Sequence, residues 1–453
     1  MANQEVTARI LRRLLVSGAS GRAERLLARM QPADIAPLLA SLTPDEVRTV
    51  IELLFRQRRA ASVVRELPAE LLPVVTDALA DQRLADVIGR LEIDDMLELV
   101  AGIPPERRAE VVGHLSAAKR EELERAQLHP PSSAGRVMTT RFVALDEKLT
   151  AQQAIEKIRA AGDETGSIFY LYVVDDAARL RGVIPLRRLV SAPPDRSVAE
   201  LMIMNPVSIT ADADQEKAAQ LVARYDLLAI PVTDAEGRML GVITVDDVID
   251  VIREEATEDM YLLAGLSEED RVFTPALLSV RKRLPWMLAN LGTCFLAAWV
   301  VGLFERALDQ VVALAVFMPV VAGMGGNGGI QAVTVITRGI ALGEIEFSTG
   351  LRAVGKELAV GLTVGAVTGA VSAVFAVLWQ GTPWLGLALV LAMMLTLGVA
   401  GLAGAAVPLL LQALKLDPAL GAGVIVTTFT DVFGFFSFLG LGALFIRYLR
   451  VAG

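Results

Sequence analysis

Polar and hydrophobic positions alternate differently in the two parts of the chain. Beyond residue 280, long apolar runs are separated by short polar segments. A run of roughly twenty apolar residues crosses a bilayer as one helix. The pattern therefore predicts five membrane-spanning helices. They cover residues 284–304, 311–336, 359–378, 385–411 and 419–446.

Residues 1–130 show the shorter period of amphipathic helices, interrupted by prolines. Pro32, Pro44, Pro68 and Pro105 each precede such a pattern. After Pro44, apolar residues recur at spacings of three and four, as on one face of a helix. Repeated helix–turn–helix units of this kind stack into a superhelix, which is the fold predicted for this region.

Residues 131–245 change character and contain two similar units. Each reads as strand, helix, strand, turn and strand, and the second unit repeats the first after about 63 residues. The helices are predicted near residues 151–160 and 216–225. The expected fold class is thus multidomain, with an α-helical superhelix, an α/β pair of repeats and an all-α membrane region.

A strongly acidic segment, residues 246–270, connects the repeats to the first span. Ten acidic residues and one basic residue, Arg253, lie between Thr244 and the end of this segment. In a helix, Asp247, Asp250 and Glu254 share one face, and like charges at that spacing repel. A solvated acidic face is the usual explanation. A divalent cation would relieve the repulsion, and the position next to the membrane favours this regulatory interpretation.

Charge and composition limit the kinds of partner and of metal site that the chain can have. The 453 residues carry a net charge of −9, and the acidic excess lies in the first 280 residues, which argues against a nucleic acid partner. One cysteine, Cys294, and two histidines, His114 and His129, leave little for a soft metal site. Any metal handled here should be a hard ion bound by oxygen. No nucleophile, base and orienting group form a recognisable motif, so an enzyme is not expected.

Charge also predicts the orientation in the membrane. Arginines interrupt every apolar stretch near the amino end, so no signal peptide is expected and the amino-terminal region should be cytoplasmic. Five spans then place seven basic residues inside and three outside, in agreement with the positive-inside rule. The protein is expected in the plasma (inner) membrane as a multi-pass protein, with its carboxyl end outside.

Two features of the apolar runs carry candidate chemistry. Asp431 lies in the fifth run, in the segment TTFTDVFG that begins at Thr427. A carboxylate at membrane depth is costly and usually lines a water-filled path or binds a cation. No Lys, Arg or His lies deep in the spans to serve as its partner. In the second run, five glycines within residues 323–329 predict a broken helix whose freed carbonyls would add oxygen ligands.

The two repeats resemble a tandem pair of CBS (cystathionine β-synthase) domains. Such pairs commonly bind adenine nucleotides, for example ATP, through Gly-x-x-(Ser/Thr)-x-x-Asp, which Gly241, Thr244 and Asp247 match. Gly182 is followed by Pro185 and Arg188 instead, so one of the two nucleotide sites is expected to be lost. A dimerisation module without a ligand is an equally weighted alternative.

The order of parts resembles the MgtE family of magnesium channels over essentially the whole chain. The most specific marks are PVVAGMGGNGGIQ, from Pro319 to Gln331, and the segment around Asp431. The resemblance implies a helical domain at 1–130, CBS domains at 131–245, a connecting (plug) helix at 246–270 and a pore domain at 271–453. It also implies a homodimer in the bilayer that imports Mg²⁺ and closes when cytosolic Mg²⁺ is high.

The resemblance also implies which residues act. The ion pathway would be lined by Asp431, Asn327, Gly326, Gly328 and Thr428. The regulatory Mg²⁺ ions would be held by acids of the cytoplasmic domains and connecting helix. These are Asp94, Asp95, Asp214, Asp226, Asp246, Asp247, Asp250, Glu255, Glu258, Asp259 and Asp417.

Two other functions stay open at this stage. The first is transport of another divalent cation (Mn²⁺, Co²⁺ or Ni²⁺) or coupled transport, although the spans offer no second ionisable group for proton coupling. The second is a membrane receptor that senses a nucleotide and conducts nothing. In that case, replacing Asp431 would leave the activity intact.

Overall fold

The structure is a computed structural model that describes residues 2–39, 41–67, 71–162, 168–267, 270, 272, 274–345 and 347–445. The chain divides into two compact units, Met1–Val251 and Ile252–Gly453. The carboxyl end, residues 446–453, was expected on the external side of the membrane, and these residues are not among those described. Pro68, expected to precede a helix, is also not among the described residues.

In its described part, the first unit begins with ten helices. They are α1 (Ala2–Val16), α2 (Ser20–Ala28), α3 (Pro32–Leu39), α4 (Pro44–Arg56), α5 (Ala60–Val64), α6 (Leu72–Ala78), α7 (Asp81–Ile88), α8 (Ile93–Ala101), α9 (Pro105–His114) and α10 (Ala117–Gln127). Most helices pack on the next but one, as α2 does on α4 and α5 on α7. One continuous apolar core runs through them, so the predicted superhelix is confirmed.

Prolines mark where these helices begin. Pro32, Pro44 and Pro105 each occupy the first helical position, where a missing backbone N–H costs nothing. Helix α4 also has a capping box. The backbone N–H of Glu46 donates to Thr43 Oγ1 at 3.4 Å, and that of Thr43 donates to Glu46 Oε2 at 2.9 Å.

The two repeats form two small sheets. Their elements are α11 (Ala134–Val137), β1 (Ala144–Asp146), α12 (Ala151–Ala161), β2 (Tyr170–Val174), β3 (Leu180–Pro185), α13 (Leu186–Val190), α14 (Val198–Leu201), β4 (Ile203–Met204), β5 (Ile209–Thr210), α15 (Gln215–Tyr225), β6 (Ala229–Thr233) and β7 (Met239–Thr244). The sheet orders are β1-β2-β3-β4 and β5-β6-β7. In each, a parallel pair is followed by an antiparallel pair with a bulge near its end. The predicted internal repeat is therefore visible in the strand pairing.

The acidic connecting segment is helical over α16 (Val245–Leu263), about 28 Å by the usual rise per residue. It ends seven residues before the predicted end. Gly265 has a φ of +69°, in the left-handed region, and the N–H of Leu266 donates to the carbonyl of Tyr261 at 2.8 Å. This is the Schellman arrangement that glycine permits at a helix end.

Among its described residues, the second unit contains five helices long and apolar enough to cross a membrane, as predicted. With a short extra helix they are α17 (Ala276–Gly302), α18 (Glu305–Gln310), α19 (Ala313–Ala341), α20 (Phe347–Gln380), α21 (Pro383–Ala413) and α22 (Ala422–Leu444). Helices α20 and α21 approach very closely. A Cβ added at Gly365 would lie 2.6 Å from the carbonyl oxygen of Met393, so glycine is needed at this contact.

Two expectations about these helices were wrong. The predicted spans 311–336 and 359–378 leave too long a connection between them, because α19 continues to Ala341 and α20 begins at Phe347. Glu357 is accordingly buried within α20 and paired with Lys356 at 2.8 Å.

The glycine-rich segment also differs from expectation, because α19 runs through residues 323–329 without a break and none of these glycines has a positive φ. A Cβ at Gly325 would lie 2.7 Å from Thr396 Cγ2, and one at Gly329 would lie 2.6 Å from Val426 Cγ1. The glycines therefore permit close helix packing, and tertiary contacts outweigh their low helix propensity.

The start of α17 is fixed to the segment before it. Asp270 is buried, and it accepts hydrogen bonds from Ser279 Oγ at 2.6 Å and from Arg283 Nε at 2.5 Å. Further along α17, the indole of Trp286 packs against Gly265 and Gly421, where added Cβ atoms would lie 3.8 and 2.9 Å from it. The end of α16, the start of α17 and the start of α22 thus meet at one place.

Candidate functional site

Helices α19 and α22 pack against each other along the glycine-rich segment. A Cβ at Gly325 would lie 3.3 Å from Thr430 Cβ, and one at Gly326 would lie 3.9 Å from Thr427 Cγ2. The two segments that carry the candidate ion pathway are therefore neighbours in the fold. Their sequence separation of about a hundred residues gave no indication of this contact.

Asp431 lies on α22, one turn beyond the Thr427 that faces Gly326. Its side chain is half-buried, and within the described residues it has no hydrogen-bond or ion-pair partner. A carboxylate without a partner in an apolar helix is expensive. The arrangement leaves its oxygens available to an external cation.

The other candidate pathway residues offer oxygen in different ways. The hydroxyl of Thr428 donates to the carbonyl of Val424 at 2.8 Å, so only its oxygen lone pairs remain available. Asn327 is exposed on α19 and makes no hydrogen bond to any described residue. Because α19 is unbroken, Gly326 and Gly328 do not supply the freed carbonyls that the sequence predicted.

The end of α16 lies on the ends of the membrane helices. Leu263 packs with Val333 and Val426, and a Cβ at Gly423 would lie 2.5 Å from the carbonyl oxygen of Leu263. This contact joins the last turn of the acidic helix to α19 and α22. The helices that carry Asn327 and Asp431 are therefore those that α16 touches.

Two predicted regulatory acids meet at this contact. Burial raises the pKa of Asp259, the nearby Asp417 raises it further, and Arg338 opposes the rise. Asp417 is exposed, and its Oδ1 accepts a hydrogen bond from the N–H of Ala419 at 2.7 Å. The negative charges of Asp259 and Asp417 thus repel each other where the end of α16 contacts α19 and α22.

The remaining predicted acids are spread over the first unit and α16. In the superhelix, Asp95 lies near Arg65. Burial lowers the pKa of Arg65, but Asp95 and Glu66 raise it, so that the pKa of Arg65 is raised overall. The side chain of Asp94 lies outside the described residues. Asp214 caps α15, accepting from the N–H of Glu216 at 2.8 Å.

Asp226 is exposed at the left-handed end of α15. On α16, Asp246 and Asp250 are exposed, whereas Glu255 and Glu258 are half-buried. In the part of the chain that the structure describes, no three acidic, histidine or cysteine side chains form a group that could hold a metal ion.

The predicted nucleotide site is partly assembled. Thr244 ends β7, Asp247 lies in the first turn of α16, and Thr244 Oγ1 donates to Asp247 Oδ2 at 2.6 Å. Gly241 has a packing role of its own, because a Cβ there would lie 2.7 Å from the carbonyl oxygen of Thr139. The glycine is therefore explained without a ligand, while the hydroxyl and carboxylate are held side by side.

The first repeat lacks this arrangement. Gly182 occupies the same strand position, where a Cβ would lie 2.8 Å from the carbonyl oxygen of Ile203. Pro185 ends β3 and Arg188 follows on α13, so neither the hydroxyl nor the carboxylate of the motif is present. The two repeats share the strand contact and differ in the polar groups beside it.

Sequence reasoning missed two polar contacts of the second unit. The first is the buried Asp270 with Ser279 and Arg283, and the second is the effect of Arg338 on Asp259. A spacing of four residues between Ser279 and Arg283 on one helix was the available signal for the first. No sequence signal pointed to the second, because it joins two separate elements.

Profiles of known families match three parts of the chain. A profile described as a divalent cation transporter (MgtE) matches residues 318–441. One described as the MgtE intracellular N domain matches residues 30–132, and the CBS domain profile matches residues 134–195 and 198–254. The matches cover most of the membrane helices α19–α22, helices α3–α10 of the superhelix and both repeats.

Relatives that match about three-quarters of the chain agree with the profiles. The magnesium transporter MgtE of Bacillus subtilis (strain 168) is 36% identical over 338 residues, which is 74% of this chain and 75% of that protein. The magnesium transporter MgtE of Thermus thermophilus is 36% identical over 335 residues, 74% of each chain. The cytosolic domain of the Mg²⁺ channel MgtE, solved in complex with ATP, is 33% identical with a TM-score of 0.51 and covers 54% of this chain and 99% of that one.

Proposed function

Because the chain belongs to the MgtE family, we propose that it is a magnesium channel that imports Mg²⁺ through the plasma membrane and closes when cytosolic Mg²⁺ is high. Its division at 1–130, 131–245, 246–270 and 271–453 belongs to the same proposal. The observation that carries the proposal is the half-buried Asp431, without a partner among the described residues, on a helix apolar enough to span a bilayer.

In the proposed pore, two copies of Asp431 face each other across the axis of a homodimer. Two carboxylates supply the charge that a divalent cation needs in an apolar surrounding. Mg²⁺ loses its water reluctantly, so carboxylates would hold the hydrated ion through its own waters. The amide oxygen of Asn327 and the hydroxyl oxygen of Thr428 add acceptors. Gly326 and Gly328 belong to the proposed pathway as positions without a side chain, and a Cβ at Gly328 would clash with Leu397 Cδ2 on α21.

In the proposed gate, α16 closes the pathway from the cytoplasmic side. Its contact with Gly423 through Leu263, and the proximity of Asp259 to Asp417, support this role. Repulsion between acids opposes seating of the helix. A bound Mg²⁺ offsets that repulsion, and it shifts the gate because it binds the closed form more tightly.

The remaining acids supply further regulatory ions in this proposal. Each ion needs one or two carboxylates together with water, so a group of three is not required. The acids come from the superhelix, the CBS domains and the connecting helix. They are Asp94, Asp95, Asp214, Asp226, Asp246, Asp247, Asp250, Glu255 and Glu258.

We also propose that the second CBS unit binds ATP or another adenine nucleotide. The hydrogen-bonded pair Thr244 and Asp247, beside Gly241, supports the proposal. The ATP complex of the related cytosolic domain supports it as well. Isothermal titration of ATP into the protein tests it, since Asp247→Asn should weaken binding and Arg188→Ala in the first unit should not.

Flux measurements on proteoliposomes test conduction. The proposal expects Mg²⁺ uptake that follows the Mg²⁺ gradient and needs no sodium or proton gradient. A strict need for either gradient would make the protein a coupled carrier. Faster uptake of Mn²⁺, Co²⁺ or Ni²⁺ than of Mg²⁺ would favour the broader divalent-cation description of the family profile.

Cross-linking tests the placement of Asp431. Cys294 is the only cysteine, so Cys294→Ser gives a chain without cysteine. In that background, Asp431→Cys should form a covalent dimer with a short bifunctional maleimide. Phe375→Cys, exposed on α20, is the control and should stay monomeric. A monomer at both positions would contradict the two-fold pore.

A further inference from the structure

The cytoplasmic superhelix contains a positively charged cleft that the proposed function does not use. It lies between the end of α4, the start of α5 and helix α7, and has a volume of about 370 Å³. Four arginines and one carboxylate line it, in a protein whose net charge is −9. The arginines are Arg56, Arg58, Arg83 and Arg90.

Two of these arginines already have partners. Arg90 Nη2 lies 3.2 Å from Asp86 Oδ2, and the guanidinium of Arg83 lies 5.4 Å from the ring centroid of Phe55. Arg56 and Arg58 make no hydrogen bond or ion pair with any described residue. The lining of the cleft therefore keeps an excess of positive charge.

The backbone of Arg58 is unfavourable for arginine. Its φ is +58°, in the left-handed region, where it terminates α4. The N–H of Arg59 donates to the carbonyl of Leu54 at 2.9 Å and that of Arg58 to Phe55 at 3.0 Å, which is the Schellman arrangement. Glycine is the usual residue at this position. An arginine here costs stability and places a guanidinium at the cleft.

A second cleft of about 530 Å³ adjoins the first and shares Phe55, Arg83, Asp86 and Arg90 with it. It adds Ser116, which caps α10, and Lys119. Lys119 is already paired with Glu122 at 2.7 Å. The combined surface is large enough for a small ligand that extends beyond the arginines.

We propose that this cleft binds a small anion with two or more phosphoryl groups. The guanidinium group is planar and pairs two N–H donors with two phosphate oxygens. Several arginines around one cleft match several phosphates better than a single carboxylate. The size of the cleft fits a free small molecule or a lipid headgroup, and it is small for an acidic peptide.

This site is independent of the proposed channel function. It uses none of the acids, pathway residues or nucleotide residues assigned above. A failure of the channel proposal would leave it standing, and the reverse is also true.

Binding of inorganic triphosphate to the full chain tests the proposal. The protein would be held in phosphatidylcholine nanodiscs, in Mg²⁺-free buffer, with Asp247→Asn present throughout to remove the CBS site. Isothermal titration should show saturable binding that weakens as salt rises. The double variant Arg56→Ala/Arg83→Ala should weaken it at least about tenfold, and Arg22→Ala, exposed on α2, should not.

The variant Arg58→Gly separates binding from folding. It should weaken triphosphate binding several-fold while the Tm stays equal or rises, because glycine suits the left-handed backbone. No saturable binding, or equal affinity in wild type, Arg58→Gly and the double variant, would overturn the proposal. So would tight binding of polyglutamate in place of triphosphate.

A second set of nanodiscs distinguishes the source of the phosphate. One-fifth of the phosphatidylcholine would be replaced by cardiolipin, a lipid whose headgroup carries two phosphoryl groups. A fall in triphosphate affinity that depends on Arg56 and Arg83 would identify a lipid headgroup as the occupant. Unchanged affinity would identify a free phosphorylated molecule.

Discussion

Asp270 and Asp431 are both acids that the second unit withdraws from water, and their surroundings differ. Asp270 accepts hydrogen bonds from Ser279 and Arg283, so its charge is satisfied within the chain. Asp431 has no such partner among the described residues. A satisfied buried carboxylate fixes one conformation, whereas an unsatisfied one needs a ligand from outside. The comparison separates an acid that holds the fold from one that we propose serves transport.

The largest effect is expected at Asp431. Asp431→Asn should lower Mg²⁺ uptake into proteoliposomes by about 100-fold, equivalent to about 2.8 kcal/mol, because the charge that compensates the ion is lost. The Tm should not fall, since no contact within the chain is broken and the cost of an unpaired charge is removed. Asp309→Asn, an exposed acid on α18, is the control. Uptake at the wild-type rate would remove the distinction between the two acids.

A second large effect concerns the acids of α16. The combined change of Asp247, Asp250, Glu258 and Asp259 to their amides should make Mg²⁺ flux independent of cytosolic Mg²⁺, because the ion no longer binds the closed form more tightly. Flux would be measured in patches at low and at millimolar Mg²⁺. Closure at the same concentration as in wild type would show that these acids, like Asp270, are only structural.

At Asp270 a substitution should change the stability of the fold, whereas at Asp431 it should change Mg²⁺ uptake. The hydrogen bonds from Ser279 and then Arg283 hold the pKa of Asp270 below its usual range. Its charged form therefore stabilises the fold above the unfolded-state pKa, and that stability is lost as pH falls through the lower folded-state pKa. Asp270→Asn should lower the Tm at pH 7, and the difference from wild type should shrink below about pH 4.

Calorimetry of both proteins from pH 7 to pH 3 would measure this difference. Ser279→Ala serves as the matched change, because it removes the first of the two hydrogen bonds and keeps the charge. A constant difference in Tm over the whole range would contradict the assignment of Asp270.

The smallest effect is expected at Asp259. Its surroundings are intermediate between those of Asp270, which is fully paired, and Asp431, which has no partner among the described residues. Burial and Asp417 raise its pKa when α16 is seated. The seated form then binds more protons than the released form, so acidification through the raised pKa favours seating. Without Mg²⁺ on the cytosolic side, lowering the pH there from 7 to 5 should reduce Mg²⁺ flux modestly, and Asp259→Asn should remove the response. An identical pH profile in the variant would exclude Asp259.

Much of the fold could be read from the sequence because its signals are local. Apolar runs gave the five spans, and prolines at helix starts gave α3, α4 and α9. The failure at residues 323–329 is equally instructive. Glycine propensity predicts a break, but contacts of Gly325 with Thr396 and of Gly329 with Val426 are long-range and keep α19 continuous.

The candidate site was only partly predictable for a related reason. Asp431 could be found because a lone charge in an apolar run is visible in one dimension. That Asp259 lies near both Asp417 and Arg338 depends on three elements meeting, which no spacing encodes. The satisfied state of Asp270 was hidden in the same way.

The packing of Trp286 against Gly265 and Gly421 gives the molecule a built-in optical reporter. An indole changes its emission when the polarity around it changes. If the end of α16 moves away from α19 and α22, the contact between Gly265 and the indole of Trp286 is lost and water takes its place. Intrinsic fluorescence, compared between the wild type and Trp286→Phe, would then follow the gate in real time without any attached dye.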